Sequence, residues 1–229
     1  LDSLRGLRVL VLSDNVADTI YTVESLPVVP GHGHVVMAVR LVGQEPSPGA
    51  HQIMATQARA LGMDVLDHAP TPFGGAIYLD RSGMGLVQTY RPLSDDDRTA
   101  SRGDLSRYLS ALHGQVDLAL IADYGTGVID PDAVLGVAPF VAVTVPVNAI
   151  NYPHSIVRQY FGATALFAND VEWELHHGTV RGEDWLGLGR FDYLIQTHGA
   201  GGVTVRHGDS AHTVPSVAIE IIDTVGCGD

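Results

Sequence analysis

The sequence has no lysine: all 13 of its basic residues are arginine. Any phosphate the protein binds must therefore be held by guanidinium groups, backbone N–H groups or a metal ion. Cysteine is almost absent as well. The single Cys227 excludes an internal disulfide framework and fits a reducing, cytoplasmic setting. Positive charge is scarce against 26 acidic residues, and the formal charge of −13 argues against a general nucleic-acid or membrane-surface role. A local basic pocket stays compatible with that balance. The sequence also lacks a secretory signal, an apolar run long enough to span a bilayer, an internal repeat and a low-complexity linker. What it does have suits a loop-rich α/β enzyme: 229 residues, 45% of them hydrophobic, with 26 glycines.

Short apolar runs and helical spacings alternate along the chain. Leu7 to Leu12, Leu118 to Ala122, Phe140 to Val145, Ala163 to Ala168 and Tyr193 to Gln196 read as buried strands. Helices are expected from Pro48-Gly49-Ala50 to about Leu61-Gly62, at Asp104 to Leu112, at Pro153 to Phe161 and at Asp170 to His176. This alternation implies a mostly parallel sheet with right-handed crossovers. Residues 21–46 read as an extended strand pair outside that sheet. Ala76 to Leu79 with Leu86 to Tyr90 read as a hairpin, as do Val203 to Val205 with Ala211 to Val214. Asp95 to Asp97 reads as a solvated loop. His32 and His34 read as solvent-facing, and His176 and His177 as exposed or compensating a helix dipole.

Chemistry concentrates where strands end. The apolar run Val214 to Ile222 leads into Asp223-Thr224-Val225-Gly226-Cys227-Gly228-Asp229, whose glycines suit a tight turn opening onto a helix. The first free N–H groups of such a helix point at an anion, and Asp229 beside it could take a proton from a hydroxyl attacking a phosphate. An ordinary glycine turn is the bland alternative. Asp14 and Asp18 follow the first strand, where open α/β sheets place ligands, and could equally be a cap or loop pair. Asp123-Tyr124-Gly125-Thr126-Gly127 is a ligand-facing strand end or a plain βα turn. Asn169-Asp170-Val171-Glu172 has the spacing of a capping box, with Asn169 as cap and Glu172 at N3. Thr197-His198-Gly199-Ala200-Gly201-Gly202 is a hairpin-entry loop or a phosphate loop.

The terminal stretch closely resembles the D-T-x-G-A-G-D signature of the ribokinase-like (PfkB) carbohydrate kinases, with Cys227 in place of the usual alanine. Further motifs match in the family's order: Asp14/Asp18, Pro48-Gly49, Asp123-Tyr124, Asn169/Glu172 and Thr197/Gly202. The pattern after the first strand and the Asp123-Tyr124 pair are most similar to the heptose 7-phosphate kinase branch. The resemblance implies a doubly wound α/β/α sandwich of mostly parallel strands with a small β lid, from about 21–46 and 74–91. It implies ATP-dependent phosphorylation of a sugar or sugar phosphate, with Mg²⁺ as cofactor, and a homodimer formed through the lid. By the same resemblance Asp229 is the catalytic base, and the N–H groups of Gly226, Cys227 and Gly228 stabilise the transferring phosphoryl group. Asp14, Asp18, Gly49 and Asp123 contact the acceptor. Asn169, Thr197, Gly199, Gly202 and Thr224 bind the nucleotide, and Glu172 supports the metal.

Departures from the pattern are specific. Ser13 replaces a glycine, Ala50 a second glycine, Ile53 an asparagine and Thr126 a lysine, with Gln52 or Gln57 as substitutes for the lost polar contact. Ile77 and Val87 stand where the heptose branch often has arginines. A catalytically silent binding or assembly module, or a nucleoside kinase on the same fold, therefore stands beside the sugar-kinase reading. The sequence begins at Leu1 rather than Met, stops at Asp229, and passes at once from Val65 to Pro70 where the family carries a strand and a helix. The expectation is an expressed protein with further segments on the C-terminal side and near residues 63–70.

Overall fold

The computed structural model describes residues 2–13, 19–23, 41–46, 50–68, 75–79, 85–90, 93–147, 156–179 and 190–217. After a 3₁₀ turn at Asp2–Leu4 come strand β1 (Arg8–Ser13), β2 (Thr19–Val23), β3 (Leu41–Pro46), helix α1 (Ala50–Ala60) and β4 (Asp64–His68). Strands β5 (Gly75–Leu79) and β6 (Gly85–Tyr90) precede helix α2 (Asp95–Leu112), β7 (Leu118–Ala122), the short α3 (Pro131–Leu135) and β8 (Phe140–Thr144). A 3₁₀ turn at Val157–Tyr160 leads to β9 (Ala165–Asn169), α4 (Asp170–Thr179) and β10 (Tyr193–Thr197), and β11 (Val203–His207) and β12 (Ser210–Val214) follow.

Among the described residues these strands form two sheets. The larger runs β12-β11-β10-β9-β8-β7-β1-β4, parallel from β4 through β10 and antiparallel only at the β11–β12 edge. The smaller runs β3-β2-β5-β6. In it the segments read as lying outside the main sheet pair with one another, β2 with β5 in parallel and the others antiparallel.

Strand alternation explains the core. Along β1 every residue from Val9 to Ser13 is buried, and successive side chains point to opposite faces. Leu10 and Leu12 join Ala119, Ile121, Val141, Val143, Leu166 and Leu194 on one face, where α2, α3 and the Val157–Tyr160 turn close over them. Helix α2 supplies Leu105, Leu109 and Leu112 at spacings of four and three, so its buried stripe meets the sheet. Val9 and Val11 point the other way, to Ala55 and Met54 of α1. Helix α1 covers β1, β4 and part of β7. Beyond it, Leu118, Leu120, Phe140, Ala142, Phe167, Tyr193 and Ile195 line a shallow, wholly apolar depression of about 310 Å³. Phe140 and Phe167 remain 37% and 41% exposed there, so this face is only half covered by the described elements.

Several expectations change. Asp95 to Asp97 are exposed, but they form the first turn of α2 rather than a loop: Ser94 caps the helix by accepting from the Asp97 N–H at 3.1 Å. Three carboxylates at a helix N-terminus are favoured by its dipole. His176 is not exposed; it is fully buried, one helical turn from Trp173, which packs on the main core. The helix expected at Pro153 to Phe161 is, from residue 156 onward, only the 3₁₀ turn. The passage after Val65 does contain a strand. Asp64–His68 pairs in parallel with β1 from Arg8↔Asp64 to Leu12↔His68, so the polar positions Asp64, Asp67 and His68 fall on the end strand of the described sheet. The apolar run to Ile222 leaves the sheet at Val214, and 218–222 lie outside the described residues. His32, His34 and His177 likewise fall where no side chain is described.

Leu105→Ala should lower unfolding stability by about 2–5 kcal/mol through the cavity it leaves, and Ser94→Ala by about 1 kcal/mol through the lost cap. Urea denaturation with two-state analysis checks both. Equal, near-zero effects would contradict the packing described.

Candidate active site

The parallel register decides which loops meet. Ser13 pairs with Ala122, Ala122 with Thr144, Thr144 with Phe167, and Asn169 with Thr197. The C-terminal ends of β1, β7, β8, β9 and β10 therefore lie side by side. At about 4.8 Å per strand, the edge from β1 to β10 spans roughly 19 Å. The winding direction reverses between β1 and β7, because the chain first moves outward to β4 and later returns on the other side of β1. Ligands of open α/β sheets bind at such reversals, outside the carboxyl ends of the strands. Asp123 borders the reversal. Asn169, Glu172, Thr197, Gly199 and Gly202 gather two to three strands away.

Asp123 is 2% exposed, and its carboxylate has internal partners. The Gly125 N–H donates to Oδ1 at 2.8 Å and the Tyr160 hydroxyl to Oδ2 at 2.5 Å, while the Asp123 N–H donates to the Thr144 carbonyl at 3.1 Å. Gly125 and Gly127 take φ of 77° and 79°, the left-handed turn that an L side chain resists. The aspartate thus fixes the β7 turn against the neighbouring strand and the core tyrosine.

Asn169 and Glu172 form a reciprocal capping box. The Glu172 N–H donates to Asn169 Oδ1 at 2.8 Å, and the Asn169 N–H donates to Glu172 Oε2 at 3.0 Å. The Val147 N–H reaches Glu172 Oε1 at 3.4 Å. Both side chains also line a cleft of about 300 Å³ with Met54, Gln57, Thr144 and Thr197. Of the two glutamines expected to replace a lost polar contact, Gln57 lines this cleft and Gln52 does not.

The loop after β10 is closed by its own backbone: the His198 N–H donates to the Gly202 carbonyl at 2.8 Å around a 3₁₀ turn at Gly199–Gly201. Gly199 and Gly202 have φ of 54° and 93°. A Cβ on Gly202 would land on the Val214 carbonyl oxygen and 2.8 Å from the Ser216 nitrogen, so the position admits only glycine. The Ser216 hydroxyl donates to the Ala200 carbonyl at 2.6 Å, tying the chain after β12 to this loop. Ser216 lies ten residues before Gly226. Thr224, Gly226, Cys227, Gly228 and Asp229, with Asp14, Asp18 and Gly49, lie outside the described residues.

No protein-family model matches the sequence, and no curated protein sequence matches it significantly. Solved structures do match. The nucleoside kinase of Burkholderia thailandensis in complex with inosine aligns over 96% of this chain and 80% of its own, at 18% identity and a TM-score of 0.59. Ribokinase from Thermotoga maritima aligns over 95% and 80%, at 15% identity and a TM-score of 0.60. The chain has the ribokinase-like fold. Phosphofructokinase-2 from Escherichia coli in complex with fructose-6-phosphate shares this fold over 96% of this chain and 83% of its own, at 10% identity and a TM-score of 0.57. The identities are too low to carry more than fold, and the ribokinase-like frame is what they establish.

Among the described residues no three His, Cys, Asp or Glu side chains gather closely enough to cage a metal ion. Mg²⁺ itself retains water and is held through one or two carboxylates and a ligand's phosphates rather than by a protein cage. Glu172, lining an open cleft, has the required character. Sequence reasoning assigned no role to His198, whose ring joins Asp170 to Thr204. The 28-residue separation from Asp170 becomes meaningful only once β9 and β10 are known to be neighbours.

Gly202→Ala should destabilise the protein by at least about 1 kcal/mol, because it adds left-handed strain to a backbone clash. Thermal and urea unfolding measure this, and an unchanged midpoint would contradict the close approach of residues 214–216.

Proposed function

We propose that the protein is a phosphotransferase that moves the terminal phosphoryl group of ATP to a hydroxyl of a sugar or sugar phosphate, with a heptose 7-phosphate as the acceptor to test first. The observation that carries this reading is the meeting, at one sheet edge of a ribokinase-like fold, of motif segments distant in sequence. The C-terminal ends of β1 and β7 flank the topological reversal, and those of β9 and β10 lie together farther along the edge. An edge of roughly 19 Å has room for an acceptor at one end and a nucleotide triphosphate at the other.

In this reading Asp14 and Asp18 orient the acceptor, with the Gly49 backbone beside it and Asp123 holding the β7 turn against it. Asp229 takes the proton of the attacking hydroxyl. The backbone N–H groups of Gly226, Cys227 and Gly228 face the transferring group, where fixed dipoles act without reorganising. The lack of lysine makes these groups more important, since no ammonium can take their place. Thr197, Gly199, Gly202 and Thr224 hold the donor phosphates. Asn169 and Glu172 hold Mg²⁺, which supplies neutralisation of phosphate charge. The four-stranded sheet β3-β2-β5-β6 acts as the lid over the acceptor and carries a homodimer contact. No described helix is long and apolar enough to cross a membrane; the proposed reaction takes small-molecule substrates in the cytoplasm.

A nucleoside acceptor is the second reading. It is supported by the structural likeness to a nucleoside kinase holding inosine, and by the Thr126, Ile77 and Val87 departures from the heptose pattern.

ATP turnover across sugars, sugar phosphates and nucleosides should identify one acceptor class, and chelation of divalent metal should abolish the activity. Asp229→Asn should lower turnover by about 10²–10⁴-fold, the usual contribution of a general base, with an unchanged circular dichroism spectrum. Cys227→Ala should keep activity, because the position contributes its N–H and not its thiol. A folded protein inert toward the whole panel would point instead to a silent binding module.

A further inference from the structure

Asp170 and His198 stand outside the residues given a role above, yet they join two of its parts. Asp170 is the first residue of α4, next to Asn169 and two before Glu172. His198 follows Thr197 and opens the Gly199–Gly202 turn. The His198 Nδ1–H donates to Asp170 Oδ1 at 2.7 Å, because a carboxylate only accepts. The Gln196 amide donates to the same oxygen at 2.9 Å. On its other side the ring meets the Thr204 hydroxyl at 2.9 Å through Nε2, and Thr204 meets Thr213 at 3.1 Å. Thr204 is 8% exposed, so the inner end of this chain of hydrogen bonds is anchored in β11 and β12. The outer end is the half-exposed Asp170. The ring therefore has one nitrogen on a fixed hairpin and the other on the end of α4.

We infer that His198 is a positioning residue that locks the capped start of α4 to the loop after β10, so that the two segments present a single preformed surface to the nucleotide phosphates. This rests on the reading of Asn169/Glu172 and Thr197–Gly202 as the nucleotide end of the site. The physical argument is one of order. A glycine-rich turn has many accessible conformations, and a ligand that must first order it loses affinity. Here the backbone bond from His198 to Gly202 closes the turn, and the His198 side chain fixes where the closed turn sits relative to α4. Replacing the imidazole by a group that reaches only one partner separates the two links. Asparagine places an amide near the Nδ1 position and keeps a donor toward Asp170. Glutamine extends toward the Nε2 position and Thr204.

The test measures binding of a fluorescent ATP analogue with Mg²⁺ to the full-length protein and to His198→Ala, His198→Asn, His198→Gln, Asp170→Ala and Asp170→Asn, with unfolding midpoints for each. His198→Ala and Asp170→Ala should each bind roughly tenfold more weakly, the order of one hydrogen bond to a charged group. Combining them should cost no more than either alone, since both remove one link. His198→Asn and Asp170→Asn, which keep that link, should stay within about threefold of the parent protein, and His198→Gln should not. In steady state the loss should fall on KM for ATP and leave KM for the acceptor unchanged. Asp170 is surface-exposed, so its variants fold even if a histidine variant does not. Parent-like binding by Asp170→Ala, or a His198→Asn variant as weak as His198→Ala, would overturn the inference and leave the proposed function standing. Failure of the parent protein to bind the analogue would overturn both.

Discussion

Parallel pairing of β1, β7, β8, β9 and β10 in a fixed register is the constraint on which the site depends. Side chains alternate between faces along a strand, so a slip of one residue would send Leu10, Leu12, Ala119 and Ile121 away from α2 and into the opposite layer. Burial of these residues therefore holds the register, and the register in turn sets which loops become neighbours. Asp123, Asn169 and Thr197 are far apart in sequence, yet each follows or ends a strand whose last residue is level with that of a parallel neighbour. The hydrophobic core positions the polar edge and touches it at Asp123, through the Tyr160 hydroxyl.

The groups at that edge serve structure and chemistry together. Asn169 and Glu172 satisfy two N–H groups at the start of α4 and also line the cleft. A capping carboxylate is held in one orientation by its own helix, a form of preorganisation that a free surface glutamate lacks. Asp123 is a stronger case of internal engagement, with Gly125 and Tyr160 on its two oxygens. What it shapes directly is the β7 turn. Gly202 shows the same economy in the backbone: the residue that ends the loop after β10 is also where the chain after β12 passes too closely for a side chain.

Much of the frame was legible in the sequence because apolar runs and turn glycines act locally. Leu118 to Ala122 was read to the residue, and the β5–β6 and β11–β12 hairpins were read nearly so. Readings failed where a distant partner decided the outcome. Asp64–His68 holds only two apolar residues, Val65 and Leu66, among three polar ones and looks like a linker until β1 offers its edge. His176 lies in a helix that mixes charged and apolar residues, and only the packing of Trp173 against the core shows which side of α4 faces inward. Asp95 to Asp97 looked like a charge run because Ser94 was not recognised as a cap. The capping box itself was visible at the spacing of Asn169 and Glu172, whereas the His198 contact was not, because it joins the ends of two strands rather than one helical turn.

The proposed function requires this sheet edge to have a nucleotide end at β9 and β10 and an acceptor end at β1 and β7. Hydrogen–deuterium exchange with each ligand added separately tests it directly. Mg²⁺ with a non-hydrolysable ATP analogue should slow exchange in peptides covering 169–172 and 197–202 and leave 123–127 unchanged, while the acceptor should slow exchange at 123–127. Protection by the nucleotide at 123–127 with none at 197–202 would contradict the assignment of the two ends.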